Sequence, residues 1–470
     1  MKKHKKLIIF GSLLLVLCVA ATLLVAGILK KNKEGRTLED PVGAYRAAVD
    51  KLGTQGDHAY RVTSTKERIV GNEIFQEVSH ITVTVENGER YLCSTEETLQ
   101  VGSHSVHISQ VYDGSKVYMT VEGIPFAVEM SQEAWLGRLF PMVTVDAATY
   151  ATVVGLEFPD RTVFTFTKAT APEGVALISA DATVTLDEDG SIASSHIELN
   201  YTDKESYIRH TIITEPLPYP SSGVVLPEDT SHYTALSGID APRLLEIACG
   251  YLLEADSLTA QYTDEIICDA FGDRRTQDIT VHAVNTNAWS SCMTTRIDVS
   301  NTGMTDAATT LNKIQLFSKG EALVKTDDQA FMPEEGTDAA AAETQCQDIL
   351  VGTIALPQHI QTMTVEETED TVTYRFTGNE DFAQLLASEA STTLYRDGVF
   401  LSALAQSYET KSVTCYLTIH KDTSLPLASG FAYSGVYTIE AIPYTLSFRA
   451  DQTYDLLHDE AEAAIAANEP

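Results

Sequence analysis

Basic residues are scarce in this 470-residue chain: 32 Lys and Arg stand against 66 Asp and Glu, for a net charge of −34. The scarcity is deeper than the total suggests. The first 36 residues carry +7, which leaves −41 for the rest. A surface of that sign repels phosphate backbones and anionic headgroups, so nucleic acid is excluded as a partner. Catalytic signatures are missing too. No G-x-S-x-G, H-E-x-x-H, Walker loop or Gly-rich dinucleotide fingerprint occurs. Nor is there a C-x-x-C pair among the seven cysteines, or a histidine at zinc-ligand spacing from one, which removes the common zinc and dithiol frameworks. The six cysteines beyond Cys18 are expected as buried free thiols, with a disulfide as the lesser alternative.

Charge is wholly absent over Leu7–Leu29, LIIFGSLLLVLCVAATLLVAGIL, an apolar run of 23 residues. About 20 helical residues cross a hydrocarbon core of roughly 30 Å, so the run is expected as an uncleaved transmembrane anchor. Residues 1–6 then form a cytoplasmic tail, 30–39 a juxtamembrane linker, and the bulk of the chain lies outside the cytoplasm as a single-pass cell-membrane protein. Signal cleavage near Val19-Ala20-Ala21 and lipidation at Cys18 are the rivals. The apolar sequence continuing past the first, and Leu17 before the second, weigh against them.

Beyond the anchor an order of elements recurs at a spacing of about 200 residues. Asp40 is an N-cap with Pro41 at N1, followed by the stripe Val42, Tyr45, Val49, Leu52 and the stop Gly53. Asp240, Pro242, Leu245, Ala248 and Leu252 repeat it. Strands follow each helix: 57–70 and 77–88 in the first copy, 257–270 and 277–288 in the second. Asn87-Gly88 predicts a tight hairpin with two positive φ angles. The pairs VYDGSKVYMTVEG and LFSKGEALVKTDDQ, then DRTVFTFTKA and EDTVTYRFTG, continue the match. Alternation of apolar and polar residues in the last pair predicts antiparallel strands with one packed face. The copies span 40–218 and 238–457, joined by a Pro/Ser/Gly-rich linker at 219–237. A helical insertion occupies 380–411, and 458–470 is an acidic tail, read as a frayed helix or a disordered end.

An opening helix, a long antiparallel meander, an intervening helix and closing hairpins resemble the LolA-like family, which includes LolA, LppX and RseB. The YDGSKVYM and LDEDGSI hairpins and the SSGVVLPED segment carry the resemblance. It implies a mainly β (α+β) chain: two tandem antiparallel half-barrels, each wrapped over helices around an apolar cavity. It also implies a non-enzymatic, membrane-anchored envelope protein binding a lipid or other apolar ligand, with no cofactor. Two alternatives stand beside it: an envelope sensor or protein-interaction ectodomain without a small-molecule ligand, and a hydrolase whose site lacks a motif.

Four aromatic residues are the candidate cavity lining. Phe164 and Phe166 share one face of their strand, and Tyr374 and Phe376 share one face of the matching strand, with Thr165 and Thr373 turned to solvent. Ordinary sheet core is the competing explanation. No metal site is expected. His104 and His107 fall on opposite faces of a strand. A calcium loop with Gly190 sixth would need ligands where Thr185 and His196 stand, so LDEDGSI reads as a turn. Asn200-Tyr201-Thr202 matches a glycosylation sequon of the kind that arises by chance.

Overall fold

The computed structural model describes residues 35–469 except 53–55, 71–72, 170–175, 204–205, 237, 269–272, 286–287, 302–308, 355–356, 394, 397–398, 401–406, 421–424 and 457–459. Two large sheets, antiparallel apart from one short strand, account for most of it, one of 13 strands and one of 11.

The first half opens with β1 (Arg36–Thr37) and α1 (Pro41–Leu52). A meander follows through β2 (His58–Val70), β3 (Glu73–Asn87), β4 (Tyr91–Val101), β5 (His104–Tyr112), β6 (Lys116–Val121) and β7 (Ile124–Glu129). Next come α2 (Gln132–Val143) and the strands β8 (Tyr150–Glu157), β9 (Thr162–Ala169), β10 (Ala176–Leu186), β11 (Ile192–Asp203) and β12 (Ser206–Leu217). The short β13 (Thr234–Ala235) ends the first sheet, and α3 (Ala241–Glu254) begins the second half. That half contains β14 (Ser257–Cys268), β15 (Asp273–Val284), β16 (Ser290–Asn301), β17 (Thr309–Ser318), β18 (Glu321–Thr326), β19 (Met332–Pro333) and α4 (Ala339–Val351). It continues through β20 (Ile360–Glu367), β21 (Thr371–Gly378), α5 (Glu380–Thr393) and the small hairpin β22 (Tyr395–Arg396) and β23 (Val399–Phe400). The strands β24 (Ser407–His420), β25 (Pro426–Ile439) and β26 (Ile442–Asp455) and the helix α6 (Glu460–Ala467) close the chain.

One strand order serves both sheets. The first runs β8-β9-β10-β11-β12-β2-β3-β4-β5-β6-β7, and the second runs β20-β21-β24-β25-β26-β14-β15-β16-β17-β18-β19. In each, the first long strand pairs with the last, β2 with β12 and β14 with β26. Neither sheet closes on itself: β7 and β8 lie near opposite ends of one, β19 and β20 at opposite ends of the other. Parallel strand β13 pairs with β7 and also runs beside β20, so the first sheet ends where the second begins.

Local chemistry accounts for these elements. Asp40 accepts the Gly43 amide at 2.9 Å, the N-cap bond expected of it. In β4, Tyr91, Cys93, Thr95, Glu97, Leu99 and Val101 turn inward at every second position. The hairpins differ from expectation. Asn87 pairs with Tyr91 across a three-residue loop, and neither Asn87 nor Gly88 has positive φ. The two-residue turns with paired positive φ are instead Glu122-Gly123 (48° and 82°), Lys319-Gly320 (55° and 83°) and Glu440-Ala441 (50° and 63°).

The expected fold class needs correction on two counts. First, the two sheets do not wrap separate cores. A single apolar cluster runs from Tyr45 of α1 to Leu456 beyond β26, and α3 lies inside it. Ten of the 14 residues of α3 are buried, on all sides of the helix, because one side packs on β4 and β5 and another on α4 and β25. Second, among the described residues no helix is long and apolar enough to cross a membrane. The longest have 14 residues, about 21 Å of rise against roughly 30 Å of hydrocarbon. The run Leu7–Leu29 lies outside the described residues. The anchored, single-pass, extracytoplasmic description is therefore withdrawn, and with it the membrane as a partner and the envelope role built on it.

Candidate functional site

The densest group of buried charge lies where α3 crosses the first sheet. On the inward face of β2 and β3, Val62 and Val83 are apolar. Further along the same faces come Ser64, Lys66 and Arg68 on β2 and Glu77 and Ser79 on β3, with Glu97 joining from β4. Polar residues at inward positions cost free energy unless paired. Helix α3 supplies partners. Arg243 donates from Nη2 to Glu97 Oε1 at 3.0 Å and to Ser79 Oγ at 3.1 Å, and from Nε to Glu97 Oε1 at 3.2 Å. Ser79 in turn donates to Glu97 Oε1 at 2.7 Å. Two turns on, the Tyr251 hydroxyl donates to Glu77, which also faces Lys66 at 3.9 Å.

The same helix is fixed at both ends. Asp240 makes no capping bond to its own helix; Arg138 of α2 takes its carboxylate in a two-pronged pair, Nη1 to Oδ2 at 2.7 Å. His104 Nε2 lies 3.0 Å from Glu246 Oε2, and that hydrogen bond raises the imidazole pKa. Near the C-terminal end Gly250 meets Val101 so closely that a Cβ would stand 2.6 Å from Val101 Cβ. Beside the cluster, His210 lies 2.9 Å from Ser64 Oγ. Burial first, and then the Lys66 charge, push its pKa down to about 4, so it is neutral at pH 7.

The second sheet has a smaller counterpart. Asp264 on β14 accepts from the Tyr262 hydroxyl at 2.9 Å and faces Arg275 Nη1 at 3.5 Å. Burial raises the Asp264 pKa, and burial together with the Asp264 charge raises that of Glu389 on α5.

Arg243, Glu97, Ser79, Tyr251 and Glu77 are spent on one another. The junction sets acid against base and donor against acceptor between α3 and the sheet, which is the chemistry of a lock. Sequence reasoning missed it. The available signal was Glu77, Ser79 and Glu97 at the same alternation as Ile81, Val83 and Leu99, polar residues on a core-facing register.

The sequence-predicted residues lie elsewhere. Phe164 and Phe166 are both 0% exposed. Tyr45 of α1 packs on them at ring-centroid distances of 5.4 and 4.7 Å, and Tyr150 meets Phe166 at 5.5 Å. Tyr45 is held in turn by Val145, whose amide donates to its hydroxyl at 2.9 Å. Tyr374 and Phe376 are buried 6.5 Å apart in the second sheet. The two pairs are on separate sheets and do not converge on one site. Thr165 is exposed, whereas Thr373 is half-buried against the Thr418 hydroxyl at 2.9 Å. One cavity bounded by described residues, beside Ser291, Met293, Gln315 and Cys346, measures about 10 Å³. That is room for about one water, far below the roughly 300–1,000 Å³ of ligand pockets.

The remaining motifs are structural. His104 and His107 face opposite sides, His107 pairing with Glu96 at 3.3 Å. Asp187–Gly190 is a turn, with Gly190 at φ 82° and the Ser191 amide bonded to Asp187 Oδ1 at 2.9 Å. All six described cysteines are buried, and none of them is in a disulfide.

No protein-family model matches the chain, and no curated protein matches it. Among solved structures, LprF from Mycobacterium bovis aligns over 46% of this chain and 91% of its own, at 10% identity and a TM-score of 0.23. OprD from Pseudomonas aeruginosa aligns over 85% of this chain and 96% of its own, at 10% identity and a TM-score of 0.12. The LprF match is distant and partial; at these scores neither match establishes a LolA-like identity.

Proposed function

We propose that this protein is a non-enzymatic interaction module. In this reading the repeated strand order reflects tandem copies of one fold of the LolA-like type. Helix α3 fuses the copies, and their outer sheet faces meet another protein. The observation that carries the proposal is how the inward side is used. Phe164 and Phe166 are in ring contact with Tyr45, and at the α3 junction Arg243 pairs with Glu97 and Tyr251 with Glu77. An inward side occupied by the chain's own residues leaves the outer faces for recognition. The net charge of −34 favours a partner with a basic face.

Native mass spectrometry of the purified chain tests this. The expected result is the mass of the polypeptide alone, with salt-sensitive binding to a basic protein partner. A stoichiometric small-molecule adduct would overturn the reading.

A further inference from the structure

The outer face of an antiparallel sheet is ordinarily wet, and the second sheet breaks that rule at one place. Val284, Cys292 and Leu316, on the adjacent strands β15, β16 and β17, are 8%, 0% and 2% exposed. They belong to an apolar cluster separate from the main core. Their strand neighbours Ala283 and Phe317 alternate to the inward side, and Ala283 belongs to the main core. What covers the outer cluster is α6, through Ala461 (0% exposed) and Ile465 (5%), four residues apart and hence on one helical face. Glu469, just past the helix, accepts from the Ser318 hydroxyl at 2.6 Å and pairs with Lys319.

The first sheet shows that this patch is specific to the second. Ala59 and Thr259 are 200 residues apart, as are Asp40 and Asp240, and they pair with Thr84 and His282 respectively. Following the registers from there, Glu86 stands where the second sheet has Val284, and Ser94 where it has Cys292. Val111 matches Leu316. The segment after β12 crosses that surface by polar contact, the Val224 amide donating to Glu86 at 3.3 Å. The segment after β26 crosses by burying an isoleucine. An eight-residue helix is too short to persist in water, so α6 owes its helicity to the surface it lies on.

We propose that the outer face of the second sheet is a docking surface for a short helix with an alanine and isoleucine face. Residues 460–467 fill it in cis, and the same helix of a second copy takes their place when they lift off. A surface shaped to Ala461 and Ile465 in cis offers identical contacts to those residues in trans, and tethering sets the balance toward the cis form. This goes beyond the interaction-module reading: the contact is made by apolar burial against a second copy, separately from any partner selected by charge.

Cys292 lies in the covered cluster and serves as the reporter. In the full chain, N-ethylmaleimide should modify Cys292 as slowly as the other buried thiols. In Ile465→Asp, Cys292 should react about tenfold faster or more, with Cys93, Cys249, Cys268, Cys346 and Cys415 unchanged. A synthetic peptide of residues 457–470 should restore its protection. Glu469→Lys, which puts no charge into the cluster, should give a smaller rise of the same pattern and covers the case in which Ile465→Asp misfolds. The proposal falls if neither variant gives labelling selective for Cys292, or if the peptide does not protect. Failure of the wider reading looks different: a small-molecule adduct in the native mass, with this labelling pattern intact.

Discussion

Arg243 is the residue whose loss should loosen α3 against the first sheet. Its guanidinium gives four hydrogen bonds to Glu97 and Ser79, and Glu97 retains only 9% of its side-chain exposure. Arg243→Ala strands that carboxylate against the sheet with Ser79 as its remaining donor. Removing one partner of a fully buried pair costs about 3–5 kcal/mol. The Arg243 side chain keeps 27% exposure, so water softens the loss, and we expect about 2–3 kcal/mol. Hydrogen exchange reads the effect where it arises, at the helix itself. Hydrogen exchange at the amides of α3 should quicken by about thirtyfold for 2 kcal/mol of lost protection. Adding Glu97→Ala removes the stranded charge, and the double variant should recover about 1–2 kcal/mol relative to the sum of the singles. If Arg243→Ala leaves α3 exchange within about twofold of wild type, the junction is not a lock and the account of the joined sheets is wrong.

Four further outcomes follow from the structure. His210 has a folded pKa of about 4 against 6.5 in the unfolded chain; its contribution is present above pH 6.5 and is lost as pH falls toward 4, by up to about 3 kcal/mol. His210→Gln should flatten that part of a urea-midpoint profile. His104, raised by Glu246, has the opposite sign: His104→Gln should cost more at pH 5.5 than at pH 8.5, measured in the same way. Phe166→Ala should destabilise by about 3–5 kcal/mol in chemical denaturation, since Tyr45 and Tyr150 lose a fully buried ring. Two glycines make a paired control in thermal melts: Gly250→Ala collides with Val101 and should cost about 1–3 kcal/mol, whereas Gly137→Ala, in open space on α2, should gain about 0.5–1.

Much of the architecture was legible because it is written in short-range pattern. Alternation in TVFTFT and TVTYRF specifies strands with one packed face, and Asp40-Pro41 specifies where a helix begins. The two sheets share one strand order. Turn chemistry was less legible. Asn87-Gly88 has the strongest hairpin signal, yet the register Asn87 to Tyr91 leaves three residues in the loop. Glu440-Ala441 has almost no signal, yet it turns with two positive φ angles because the long strands β25 and β26 impose the register.

Composition and pattern by themselves determined the acidity, the antiparallel strands, the repeated order and the absence of a catalytic signature, each a property of residues near one another in the chain. Tertiary structure alone decided what those elements face. Phe164 lies against Tyr45, 119 residues earlier, and Arg243 against Glu97, 146 residues earlier. Alternation says that a residue points inward; it does not say whether a cavity, a helix or a charge waits there. The decision rests on α3, which an amphipathic stripe assigns to the second half and burial on all sides places between both sheets. Long-range contacts of that kind depend on the summed packing of two sheets, a quantity no local window contains.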